Sequence, residues 1–141
     1  MAKVAINELG GFTDVVRLDY NDLIAIGNGG SRVIAKLPAN SAVELAAVAN
    51  TVDIAGSSTL VIDVGTTGAD PDEFIDALDV DAMTVPVFNT GDQFTSGYSK
   101  AVKAVASETE VYVKVTDSAV ASLTAGEIVI ALRVLDLNKF S

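Results

Sequence analysis

The residues most capable of chemistry lie between Val64 and Ala82, where VGTTGADPDEFIDALDVDA holds six acidic residues in nineteen positions and no base. Carboxylates at that density suggest three chemistries. They could hold calcium, share a proton as an acid/base pair, or decorate a turn. An EF-hand loop needs oxygen ligands at positions 1, 3, 5 and 12 and glycine at 6. Counted from Asp70, position 3 is Asp72, but positions 5 and 6 are Phe74 and Ile75, and position 12 is Asp81. The EF-hand pattern therefore fails. An irregular calcium site could still draw on Asp70, Asp72, Asp79 and Asp81, since loop sites between strands keep no fixed spacing. A glycosidase pair would need two carboxyls set across a sugar-binding cleft. Such clefts present aromatic platforms, and the chain has no Trp and only Tyr20, Tyr98 and Tyr112.

The third reading accounts for more of the residues. Asp70 suits an N-cap, Pro71 the first helical position and Glu73 the third, as in a capping box. Phe74, Ala77 and Leu78 would then form one apolar stripe. The local sequence thus predicts a short helix near residues 70–78 with its acids in solvent and no resident cofactor or metal.

Absent residue types exclude further chemistry. The chain contains no His and no Cys, which removes the usual zinc, iron–sulfur and haem ligands as well as Ser–His and Cys–His nucleophile pairs. The net charge is −10. Residues 1–36 carry four bases and four acids and residues 100–141 five of each, so ten acids and no base fall between 37 and 99. Nucleic acid is an unsuitable partner, because binding it requires clustered Lys and Arg. An anionic membrane surface is disfavoured for the same reason. Half of the 141 residues are apolar, yet every apolar run is too short for a membrane helix, and MAKVAINELGGF lacks the apolar core of a signal peptide.

Glycines 27, 29 and 30 invite a phosphate-loop reading, but the dinucleotide fingerprint would need a glycine where Arg32 stands. A helical turn over YNDLIAIGNGG, opening near Asn21 or Asp22 and stopping at Gly27, suits these residues better. Beyond it the apolar period becomes two. Val33, Ala35 and Leu37 alternate, as do Leu60, Ile62 and Val64; Val111, Val113 and Val115; and Ile128, Ile130, Leu132 and Val134. Half-buried strands read this way. SAVELAAVANTV is assigned to a strand too, on its valines and the turn before it. Gly- and Thr-rich turns separate these runs. The expected fold is all-β, an antiparallel sandwich of jelly-roll type at residues 31–141, preceded by an arm or first strand at 1–30.

Several of these segments together look familiar. LIAIGNGG, KLPANS, LVIDVGTTGADPDEFIDALDVDA and TAGEIVIALRVL resemble the small capsid decoration (cement) proteins of tailed bacteriophages, across about residues 22–135. The resemblance implies a non-enzymatic virion protein, made in the host cytoplasm, that sits on the capsid surface. It implies the major capsid protein as partner and a homo-oligomer, often a trimer. Residues 1–21 exceed the length of many such proteins. In that segment Val4, Ile6, Phe12, Val15 and Val16 suit pairing with another chain's sheet edge. Arg17 and Lys36, from the charge-balanced N-terminal part, are the candidate polar contacts. A calcium- or glycan-binding module of a fibre or surface protein is the alternative function.

Overall fold

The computed structural model describes residues 11–95 and 103–140. Among the described residues nine strands form two antiparallel sheets: β1 (Asp14–Asp19), β2 (Ser31–Leu37), β3 (Ser41–Ala55), β4 (Val61–Gly65), β5 (Ile75–Asp79), β6 (Val87–Phe88), β7 (Lys103–Val105), β8 (Thr109–Thr116) and β9 (Ala125–Asp136). The first sheet runs β1-β9-β3-β6, with β7 also on β3; the second runs β2-β8-β4-β5. The pairs β1·β9, β2·β8, β3·β6 and β4·β5 nest inside one another, as if one long hairpin with its tip between β4 and β5 had been rolled up. That winding is a jelly roll. The all-β sandwich expected from the alternating valines and isoleucines is the fold observed.

Alternation decides the core. Leu60, Ile62, Val64, Val111, Val113, Val115, Ile128, Ile130 and Leu132 all point between the sheets and are buried. Ser41–Ala55 is a strand despite its alanines, held by a long ladder to β9. Strand β2 departs from simple alternation. A register shift between Val33 and Ala35 puts Val33 opposite Tyr112 on the outer face, while Ala35 and Leu37 stay with the inner row. Val33 is consequently exposed.

The helix at Tyr20–Ile26, α1, is capped by Asp19 one residue before its start: the Asp22 amide donates to Asp19 Oδ1 at 2.9 Å and the Asp19 amide to Asp22 Oδ2 at 3.0 Å. This reciprocal pair is a capping box. Gly27 ends α1 at φ 80°, donating to the Leu23 carbonyl, a conformation that favours glycine. A second helical turn, α2 (Asp92–Thr95), occupies what reads in sequence as a plain turn.

The helix expected at residues 70–78 is not formed. Residues 69–74 make turns, and Ile75–Asp79 is strand β5, paired to β4. The cap signature is overridden because Phe74 and Ile75, adjacent in sequence, are both fully buried. The Phe74 amide donates to the Val64 carbonyl at 2.9 Å, and its own carbonyl accepts from Gly91 at 2.9 Å. A cap contributes about 1 kcal/mol, less than burying a Phe side chain at about 1.5–3 kcal/mol together with pairing a strand edge.

Candidate interaction surface

The two sheets differ in the surface they present to solvent, the second being mostly polar but interrupted by the Val33–Tyr112 pair. On the β2-β8-β4-β5 sheet the outward row Ser31–Lys114–Asp63 is polar, and Lys36 faces Glu110 nearby. Such a polar exterior is usual for a half-solvated antiparallel sheet. The β1-β9-β3-β6 sheet departs from it. Across its outer face Val15 pairs with Ala131, Ala131 with Ala47, and Ala47 with Phe88, forming one apolar row over four strands. The next row is Arg17–Val129–Ala49. Phe88 is 51 % exposed and Val85 66 %.

The alanines make this surface concave. A groove of about 190 Å³ is lined by Phe12, Ala47, Ala49, Pro86, Phe88, Val129 and Ala131. It adjoins a second hollow of about 310 Å³ reaching Asn50, Asp53, Met83 and Val85, with Ala49 and Pro86 shared. Two alanine strands thus form a floor, with Phe12 and Phe88 as part of its wall. Polar groups border it: Arg17 pairs with Glu127 at 3.0 Å, and Arg133 lies 3.9 Å from Glu44. A contiguous apolar area with a polar border is the usual composition of a protein contact surface.

The residues singled out from sequence are distributed unevenly around it. Phe12 lines the groove, Val15 belongs to the apolar row, and Arg17 lies on the same face. Val16 turns inward against the core. Lys36 belongs to β2, on the other sheet, so it and Arg17 do not form one patch. Val4 and Ile6 lie outside the described residues. Sequence reasoning passed over Ala47, Ala49, Phe88, Val129 and Ala131. A signal for four of them existed: LAAVA and IVIAL are apolar at every position, as strands covered on both faces are.

The acidic segment is structural in its contacts. The Glu73 carboxylate accepts the Thr66 and Thr67 amides at 3.1 Å and lies over Gly65. Asp63 Oδ1 accepts the Ala77 amide at 2.7 Å, and Asp79 Oδ1 accepts those of Leu60 and Asp81 at 3.3 and 3.0 Å. Asp70 and Asp72 stand in the turn before β5, whereas Asp79 and Asp81 stand at its end. Among the described residues no three acidic side chains converge in a way that could hold a metal ion. Burial, and then Asp76 and Asp70, push the Asp63 carboxyl above its ordinary value; burial, then Asp92, Asp70 and Glu73, do the same to Asp72. Among the described residues no helix is long and apolar enough to cross a membrane.

No protein-family model matches the chain, and no curated protein matches it in sequence. Solved structures do. A chain of the Cyanophage Pam1 capsid asymmetric unit aligns with TM-score 0.61 at 16 % identity, covering 86 % of this chain and 80 % of that one. A chain of the capsid of Ralstonia phage GP4 aligns with TM-score 0.52 at 20 % identity, covering 89 % and 86 %. The fold is therefore one that occurs in chains of phage capsid structures.

Proposed function

We propose that this chain is a non-enzymatic structural protein of a phage virion, binding the outer surface of the capsid and stabilising contacts between major capsid protein subunits. The observation that carries this reading is the apolar outer face of the β1-β9-β3-β6 sheet, on a jelly roll shared with capsid chains. Burying that face against a shell removes apolar area from water, at roughly 25 cal/mol per Å² before ordering costs. Binding free energy gained only in the assembled shell stabilises the shell over its separated parts. The Asp63, Glu73 and Asp79 carboxylates serve turns and a bulge within the fold, and on this reading the acidic segment supplies no reaction. On this reading the protein is made in the host cytoplasm, resides on the capsid surface, acts as a homo-oligomer and needs no cofactor.

The test mixes purified protein with undecorated capsids and measures co-sedimentation and shell melting. Binding with a raised shell melting temperature is expected, together with its loss in Phe88→Asp. Absence of binding by a folded protein, or undiminished binding by Phe88→Asp, would overturn the reading.

A further inference from the structure

Sheet edges are templates for another strand, and proteins usually blunt them with bulges, shortness or proline. Most exposed edges of this sandwich are blunted. Strand β2 carries a register shift between Val33 and Ala35. Strand β5 bulges where Asp76 and Ala77 oppose Asp63, with Ala77 at φ 47°. Strands β6 and β7, at the far side of the first sheet, have two and three residues, and Pro86 precedes β6. Strand β1 is different. Its six residues run in unbroken register with β9, and β9 is its sole strand partner among the described residues. Its acids lie at its two ends, where Asp14 accepts the Thr13 hydroxyl and Asp19 caps α1; Arg17 is engaged by Glu127.

We infer that β1 pairs antiparallel with β1 of a second copy of this chain across a two-fold axis at Val15. An axis perpendicular to the sheet keeps outer face with outer face, and every contact is made twice. Centred on Val15, the register sets Asp14 beside the other copy's Val16, and Thr13 beside its Arg17. No like charges meet, which matters for a chain of net charge −10. The apolar row then runs through the axis without a break, from Phe88, Ala47, Ala131 and Val15 into the same residues of the second copy. Two half-length apolar faces become one continuous face. The pairing stands independently of what that face binds.

The absence of cysteine from the chain allows a clean test. Sedimentation of the purified full chain should give twice the 14.5 kDa monomer mass. Val15→Lys puts two like charges opposite each other and should halve that mass while the circular dichroism of a folded β chain is kept. Val15→Cys should cross-link the pair on mild oxidation, because directly opposed strand residues lie within disulfide reach. Asp76→Cys, on the β5 edge, should remain a single chain. A single-chain mass at every concentration, a three-chain mass, or equal cross-linking by Asp76→Cys would overturn the inference. So would pairing that emerges only after residues 1–10 are removed, because the edge would then belong to the chain's own N-terminal segment. Docking of a monomer on shells would overturn this inference alone, and a dimer that ignores shells would overturn only the proposed function.

Discussion

The carboxylate of Asp63 on β4 accepts the amide hydrogen of Ala77 on β5 at 2.7 Å, at the point where β5 carries two residues against one. Ala77 sits there at φ 47°, so the side chain replaces the ladder bond that the bulge removes. Asp63→Ala should cost about 1–3 kcal/mol, the cost of an amide left without its acceptor. Asp63→Asn keeps an acceptor oxygen and sheds a charge that Asp76 and Asp70 repel. Urea denaturation at neutral pH should find the Asn variant at least as stable as the parent.

The same carboxyl sets a pH dependence. Asp63 and Asp72 both titrate above their ordinary value of 3.8 in the folded chain. The folded state therefore holds these protons more tightly than the unfolded chain. Their contribution is fully favourable below 3.8 and is lost as pH rises through the raised folded values. Asp22 works in the opposite sense, since the Asp19 amide lowers it. Relative to the parent, the double variant Asp63→Asn, Asp72→Asn should lose the stability gain on acidification between neutrality and that window. Melting temperatures across a pH series check this; parallel curves for parent and variant would contradict it.

Close backbone approach predicts unequal costs for glycine replacement. A Cβ at Gly91 would lie 2.4 Å from the backbone of Glu73 and Phe74, which cannot yield without opening the 91–74 hydrogen bond. At Gly68 the nearest atoms to a Cβ would be those of the Tyr112 ring, at 3.4 Å and beyond. Gly91→Ala should cost roughly 1–3 kcal/mol or more, as overpacking does, and Gly68→Ala within about 0.5 kcal/mol. Chemical denaturation of the two variants gives the comparison.

Asp70 provides a direct contrast between a helix cap and a turn. A cap would make Asp70→Ala cost about 1 kcal/mol. In the fold Asp70 is exposed, close enough to Asp63 and Asp72 to raise their carboxyl values, and makes no side-chain hydrogen bond among the described residues. The substitution should leave stability unchanged within about 0.5 kcal/mol. A loss of a full kcal/mol in denaturation would show that the turn depends on this carboxylate.

The inner layer of the sandwich was readable because burial on one side of a strand imposes a period of two. Val111, Val113, Val115 and their counterparts on β4 and β9 needed no knowledge of their neighbours. The GNGG turn was also local, since Gly27 stops α1 by its own backbone freedom. The segment DPDEF was misleading for the same locality: its cap residues are those of a helix start, while the Val64 carbonyl that takes the Phe74 amide lies ten residues back in sequence. Likewise Val33 was assigned to the wrong face, because the shift that turns it outward is set by pairing with β8.

The candidate surface was the least readable part. Ala47 and Ala131 lie 84 residues apart in sequence, and neither signals an interface alone; they become one through the β3–β9 register that sets them side by side. Composition and alternation determined that this chain would fold as two packed sheets without catalytic histidine or cysteine. Tertiary pairing alone decided that the Asp63, Glu73 and Asp79 carboxylates serve turns and a bulge, that one sheet carries an apolar row on its outer side, and that β1 has a single strand partner among the described residues. Side-chain period acts within a strand, whereas register and edge are relations between strands distant in sequence.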